Sequence, residues 1–286
     1  MGKYRKILVA IDGSKSSLHA LRESLKLATD EKSWVTVVSV IPRYEGDLGS
    51  MWINNVKESM RKPCTLALSE AEKIAKEERF LIKTVCEEGE IYERIVDLAY
   101  AENCDLIIMG KKGMSRLERT LVGSVTARVI GHSHKDVLVV PKDSPIGWKS
   151  ILVATDGSRY SDAATSRAID FAKSYGGDLK IVSIVDVPPE YYSHIKGLEA
   201  AEELIKDAKG FAEAVKKKAE TEAVKTEVFI KEGEAPKVIC DLAVEQNIDV
   251  IVIGTHGRTG LRRLLMGSVA EGVIGHAPCP VLVATV

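Results

Sequence analysis

The chain reads as an α/β protein built from two tandem doubly wound domains, each a parallel sheet with helices on both faces. Three observations predict this. First, the sequence repeats itself at one fixed offset: Ile7-Leu-Val-Ala-Ile-Asp-Gly-Ser14 returns 144 residues later as Ile151-Leu-Val-Ala-Thr-Asp-Gly-Ser158. Asp105-Leu-Ile-Ile-Met-Gly110 returns as Asp249-Val-Ile-Val-Ile-Gly254 in the same register, as do Gly89-Glu90, Gly123-Ser124 and Gly131-His132. Chance similarity does not hold register over a whole half, so one domain is written twice. Second, short β-branched apolar runs alternate with helical patterns, the signature of βαβ units. Third, the strands are nearly continuous in apolar character, as strands buried on both faces must be.

Element by element, Lys6–Ile11 is a buried strand stopped by Asp12-Gly13. A serine cap within Ser14–Ser17 starts a helix with Leu18, Leu21, Leu25 and Ala28 at helical spacing. Val35–Ile41 is a second strand ended by Pro42; a helix over Thr65–Glu78 and a strand over Ile82–Cys86 follow. Ile91–Glu102 is helical with Ile95, Leu98 and Ala99 inward, Leu106–Met109 is a strand, Gly123–Ile130 opens a helix, and Val137–Val140 closes the half. The second half repeats the order, its first helix closed by Gly176-Gly177. Lys142–Lys149, with Pro145 and Gly147, breaks every pattern and is the linker. The expected domains are residues 1–143 and 148–286.

The 286 residues are 45% apolar and 28% charged, an ordinary globular balance, and the net charge is −1. That balance argues against a broadly basic nucleic-acid binder, and 5% aromatics argue against a base-stacking platform. No apolar run reaches the length of a membrane span, and the five apolar residues after Lys6 are too few for a signal peptide. The five cysteines (Cys64, Cys86, Cys104, Cys240, Cys279) are odd in number, widely spaced and without a CxxC pair. They read as small core residues of a cytoplasmic protein, and their spacing excludes a thiolate zinc site.

The chemistry-bearing pattern is Gly-x2-Gly-x9-Gly-Ser, present as Gly110, Gly113, Gly123-Ser124 and again as Gly254, Gly257, Gly267-Ser268. In an open α/β sheet, ligands sit beyond the carboxyl ends of the strands at the switch point. Glycines there allow close backbone approach and positive φ, and the third glycine begins a helix whose unpaired N–H groups favour an anion. Ser124 and Ser268 can cap that helix or donate to phosphate. The alternative is that the glycines only turn the chain, but keeping their spacing in both halves favours phosphate. Neither a GxxxxGK[ST] loop nor a GxGxxG after the first strand occurs, and GxSxG and HExxH are absent as well.

These residues, with the strand-ending Ala-x-Asp-Gly-Ser and the tail His276-Ala-Pro-Cys-Pro-Val-Leu-Val283, resemble the universal stress protein family over nearly the whole chain. The resemblance implies five parallel strands in the order 3-2-1-4-5 and an adenine nucleotide, ATP or AMP, with Mg²⁺ accompanying ATP. By position it implies that Ala154, Thr155 and Asp156, with counterparts Ala10, Ile11 and Asp12, meet ribose or adenine. Val40 and Ile184 would hold adenine through backbone groups. Met109, Gly110, Gly113, Gly123, Ser124 and Val125 would receive phosphate in one half; Ile253, Gly254, Gly257, Gly267, Ser268 and Val269 would do so in the other. The first half departs from the pattern at Lys111-Lys112 and at His132-Ser-His-Lys-Asp136.

Other residues keep alternatives. Asp12 and Asp156 suit a helix-capping turn, a ribose contact or Mg²⁺ coordination. Lys111 and Lys112 either bind phosphate or are solvated. Arg116, Arg119, Arg258, Arg262 and Arg263 either screen phosphate or face water, and His256 either touches phosphate or does not. A metal at His132 and His134 is disfavoured for want of partners. In the implied strand order Val137–Val140 and Val281–Val286 are bare apolar edges, which predicts that they pair antiparallel as an intrachain pseudo-dimer. Tyr44–Met60, with Met51, Trp52 and Ile53, would cover the nucleotide or join two chains into a homodimer. The expected function is an adenine-nucleotide-binding stress-response protein with a protein partner, acting through conformation; slow ATP hydrolysis or phosphotransfer is the alternative.

Overall fold

The computed structural model describes residues 3–43, 53–113, 122–187, 195–258 and 266–286. Met51, Trp52, Arg116, Arg119, Arg262 and Arg263, together with most of Tyr44–Met60, lie outside the described residues. The chain divides into two compact units, Met1–Ser144 and Pro145–Val286.

In the first unit the elements are β1 (Lys6–Ala10), α1 (Lys15–Glu31), β2 (Trp34–Pro42), α2 (Ile53–Glu77), β3 (Ile82–Gly89), α3 (Ile91–Ala101), β4 (Leu106–Gly110), α4 (Ser124–His132) and β5 (Asp136–Val140). The second unit has β6 (Ser150–Ala154), α5 (Arg159–Tyr175), β7 (Asp178–Val185), α6 (Ile195–Thr221), β8 (Thr226–Glu232), α7 (Ala235–Glu245), β9 (Val250–Gly254), α8 (Ser268–His276) and β10 (Val281–Ala284). Every pairing within a unit is parallel. The orders are β3-β2-β1-β4-β5 and β8-β7-β6-β9-β10, so the implied strand order holds in both.

Each sheet is sealed on both faces. Ile7, Leu8, Leu106, Ile107 and Leu138 are fully buried in the first, and Ile151, Leu152, Val250, Ile251 and Leu282 in the second. Their burial contributes about 2 kcal/mol per side chain before conformational entropy is counted. The repeated aspartates that precede β4 and β9 now have a structural reason. Asp105 Oδ2 accepts from the backbone N–H of Arg5 and Lys6 at 2.8 and 3.1 Å, and Asp249 Oδ2 from Lys149 and Ser150, both at 2.9 Å. Each clamps the foot of the fourth strand to the foot of the first.

The first helix of each half is capped as read: Ser14 Oγ accepts from Ser17 N, and Ser158 Oγ from Ser161 N, both at 3.2 Å. Both helices end on a left-handed residue, Lys32 at φ 58° and Gly176 at φ 61°, the same repeat position. A lysine there carries a Cβ penalty that glycine does not.

Three expectations are corrected. The second helix begins at Ile53, not Thr65, and runs through Pro63. A single proline removes one intrahelical bond, a loss that packing of the rest of the helix outweighs. Strand β3 continues past Cys86 to Gly89. The reading of all five cysteines as free core residues also fails, because Cys64 and Cys86 form a disulfide with Cα atoms 6.4 Å apart. The spacing hid it. Fourteen helical residues back from the end of α2 span about 21 Å and five strand residues forward about 17 Å, so the two come near the same level. The cysteine argument for a reducing compartment therefore does not stand. No helix among the described residues is long and apolar enough to cross a membrane.

Cys104, Cys240 and Cys279 are buried thiols outside the disulfide; burial pushes Cys104 up to about 11 and Cys279 to about 12. An unfolded chain loses these protons near the ordinary thiol value of 9.0, whereas the folded chain keeps them longer. Their contribution is thus fully present below pH 9 and is lost as pH rises through 11 and 12. Urea midpoints should fall from pH 9 upward, and Cys279→Ala should flatten that fall. At neutral pH, Lys32→Gly should raise stability by about 0.5–1 kcal/mol and Gly176→Lys should lower it similarly.

Candidate functional site

At the carboxyl ends of β1 and β4 the chain departs to opposite sides, opening a crevice that no side chain of the sheet fills. In the first unit this is a cavity of about 430 Å³, and in the second one of about 260 Å³. Ala10, Ile11, Asp12, Val40, Met109, Gly110, Gly113, Gly123, Ser124 and Val125 all line the first. Ala154, Thr155, Asp156, Ile184, Ile253, Gly254, Gly257, Gly267, Ser268 and Val269 all line the second. The fold thus brings each set together.

The glycines do not act as the sequence alone suggested. None of the six has positive φ; that backbone occurs instead at Gly13 (φ 82°) and Gly157 (φ 74°), in the turns after β1 and β6. A Cβ on Gly110 would lie 2.7 Å from Ser16 Oγ and 3.0 Å from Ser17 N, and one on Gly254 2.7 Å from the Tyr160 carbonyl. These two glycines let the first turn of α1 and of α5 seat on the end of the fourth strand. A Cβ on Gly257 would come within 2.8 Å of Asp156 Oδ2, and Gly113 stands in the same relation to Asp12. Each therefore makes room for a carboxylate.

Those carboxylates form the turn that launches the first helix. Asp12 Oδ1 accepts from Ser14 N at 3.0 Å and Ser17 Oγ at 2.8 Å. Asp156 Oδ1 accepts from Ser158 N at 3.0 Å, and its Oδ2 from Arg258 N at 2.9 Å. The capping role is thus realised, and the same side chains line the cavity. Arg258 does not face the cavity's anion end: its guanidinium lies 4.8 Å over the Phe211 ring and 3.7 Å from Asp207.

The loops between glycines are tied at their feet. Gly123 N donates to Lys111 O at 3.1 Å, and Gly267 N to Thr255 O at 2.8 Å. Beyond those ties α4 and α8 begin. Their N-caps are the glycines themselves, with no side-chain cap hydrogen bond, so Ser124 and Ser268 are first-turn residues rather than caps. The first-turn N–H groups and the positive end of the helix dipole face the cavity. Lys112 lines the first cavity, while Lys111 spends its backbone on Val140 O and Gly123 N. His256 lines the second, its Nδ1 3.2 Å from Thr255 Oγ1 and its ring 5.3 Å from Tyr160. His132 turns away, with Nδ1 2.8 Å from Arg128 O and its ring beside Tyr92.

Sequence reasoning missed the far wall. Ile91 and Ile95 of α3, and Ala235 and Ile239 of α7, line the two cavities, and Met60, Pro63 and Cys64 of α2 line the first as well. A signal was present in the repeated Gly89-Glu90 and Gly233-Glu234, which mark where α3 and α7 start at the crevice.

Gly257→Ala should destabilise the chain by about 1–2 kcal/mol, because its methyl displaces the carboxylate that holds Arg258 N. In an Asp156→Ala background the same change should cost about 1 kcal/mol less, a coupling that urea denaturation of the four-member cycle measures.

The universal stress protein family model matches residues 3–141 and again 147–285. A universal stress protein of Methanocaldococcus jannaschii is 41% identical over 138 residues, covering 48% of this chain and 81% of the relative. A universal stress protein of Mycolicibacterium smegmatis is 26% identical over 291 residues, covering 97% of this chain and 96% of the relative. Among solved structures, a universal stress protein from Archaeoglobus fulgidus covers 98% of both chains with a TM-score of 0.70 at 23% identity, which speaks to the fold. With the family model matched twice and nearly end to end, the chain belongs to the universal stress protein family as a tandem two-domain member.

Proposed function

We propose that each half binds an adenine nucleotide in its crevice and that the protein acts in stress response through nucleotide-dependent conformation or partner binding. The observation that carries this is the pairing, in one cavity, of an apolar wall with an uncapped helix start. Val40, Ile41 and Ile95 offer a flat apolar face to a base in the first half, as Ile184 and Ile239 do in the second. At the opposite end, the backbone N–H groups of α4 and α8 face the position of an anion without a cap to compete. Asp12 and Asp156 lie between the two ends, each with lone pairs to accept from ribose hydroxyls.

Where a triphosphate brings Mg²⁺, one carboxylate per half, Asp12 or Asp156, lines the cavity and already accepts backbone donors. The phosphates would supply most of the ion's oxygen ligands. The ion would neutralise phosphate charge, and the chain's own residues would bind and orient the nucleotide.

Slow ATP hydrolysis is the second reading, favoured in the second half by His256, which lines that cavity beside the phosphate end. Phosphoryl transfer needs a group that orients the attacking water, and an imidazole held by Thr255 can do so.

Calorimetric titration of ATP and of AMP into the full chain should show binding heat. Gly267→Val should abolish binding in the second half, since its side chain would press on the backbone of His256 and Thr255, 3.3 and 3.5 Å from even a Cβ. Retained stoichiometry in that variant contradicts the site, and no heat or thermal shift with either nucleotide contradicts the function. ADP release over hours that disappears in His256→Gln while binding persists would favour the hydrolytic reading.

A further inference from the structure

The two halves differ most where the first cavity meets α2. Cys64 is 3% exposed and lines the cavity wall, joined to Cys86 on β3, the outer strand of its sheet. Cys86 is exposed on that strand. At the same repeat positions the second half has Ala208 and Ile230, and among the described residues none of α6 lines its cavity. The remaining cysteines are buried, and burial holds the Cys104 and Cys279 thiols neutral.

We infer that Cys64–Cys86 is a thiol–disulfide exchange site, open to low-molecular-weight disulfides and thiols through Cys86, that sets the nucleotide affinity of the first cavity alone. The coupling rests on the nucleotide reading of that cavity. The Cys86 thiol loses its proton, and the thiolate attacks one sulfur of a small disulfide, breaking its S–S bond and expelling one thiolate, which takes up a proton. The Cys64 thiol then loses its proton and attacks Cys86 Sγ, breaking the mixed disulfide and expelling the second small thiolate, which takes up that proton. The two cysteines are oxidised by two electrons, and the small disulfide is reduced to two thiols. Reduction runs the same steps backwards.

The coupling follows from what the bond pins. Ala67, Ala71, Ile74 and Ala75 of α2 are buried and hold its C-terminal part whatever the redox state. The turn with Met60, Pro63 and Cys64 is the part that lines the cavity, and the bond ties that turn to the sheet. Oxidised, the wall is pre-organised for the base; reduced, ordering that turn costs part of the binding energy.

The test uses the full chain, reduced and then treated with hydroxyethyl disulfide, a neutral probe chosen because Glu87 and Glu88 adjoin Cys86. Peptide mass mapping should find a 64–86 cross-link with the release of two mercaptoethanol molecules. A mixed disulfide that persists on Cys86, or no cross-link, overturns the exchange site. ATP titration should then show one of two sites bound roughly three- to tenfold more weakly in the reduced protein, the other being unchanged. Cys86→Ser should bind at the reduced-state affinity under both conditions. Equal affinities in the two redox states, or a redox response that survives in Cys86→Ser, overturn the coupling while leaving nucleotide binding intact. If ATP binds only to the second half in both states, the nucleotide reading of the first cavity falls and the coupling falls with it. The mass readout of the exchange chemistry stands apart from that result.

Discussion

The pairing of the first strand with the fourth is the interaction on which the rest of each half depends. It is fixed at the foot by an aspartate, Asp105 or Asp249, that accepts two backbone N–H groups from the start of the first strand. It is fixed at the top by a glycine, Gly110 or Gly254, on which the following helix rests without a Cβ between them. A one-residue slip would turn each fully buried side chain of β1 to the other face and remove both contacts. With the register held, β1 turns to one side of the sheet and β4 to the other, and the crevice between them follows from topology alone.

That constraint gives the glycine pattern a layered meaning. The first glycine of each loop serves helix seating and the second makes room for an aspartate; the third ties the loop closed and leaves a helix start uncapped. The third leaves the start of α4 or α8 open on the cavity. The first two shape the cavity's surroundings, so a spacing that looks like a binding motif is largely a folding motif whose product is a cavity. It also explains how a chain of net charge −1 can suit an anion: the donors are backbone groups, not a basic surface.

Much of this was legible in the sequence, for identifiable reasons. A repeat at constant offset exposes the duplication, and Val- and Ile-rich runs such as Ile7–Val9 leave no doubt about buried strands. Ser14 and Ser158 announce their helices because a cap is a local interaction. What stayed hidden was non-local. Arg258 by position either screens phosphate or faces water, and the sequence could not show that its guanidinium meets Phe211 and Asp207 on a helix about fifty residues away. Cys64 and Cys86 read as core residues because the cysteines are odd in number, widely spaced and without a CxxC pair, and only the fold of α2 back along β3 brings the two together. The wall from α3 was marked only by the repeated Gly89-Glu90, since Ile91 and Ile95 themselves look like ordinary apolar positions of an amphipathic helix.

The central claim is that in each half the uncapped helix start and the glycine loop beside it are the phosphate end of an adenine-nucleotide site. Backbone amide NMR during titration of the full chain with ATP tests it most directly. The account predicts that the largest shifts fall on Gly110, Gly113, Gly123, Ser124 and Val125, and on Gly254, Gly257, Gly267, Ser268 and Val269. Smaller shifts should appear at Val40 and Ile184. Saturating ATP that leaves these amides unmoved, or moves a different set, would contradict it.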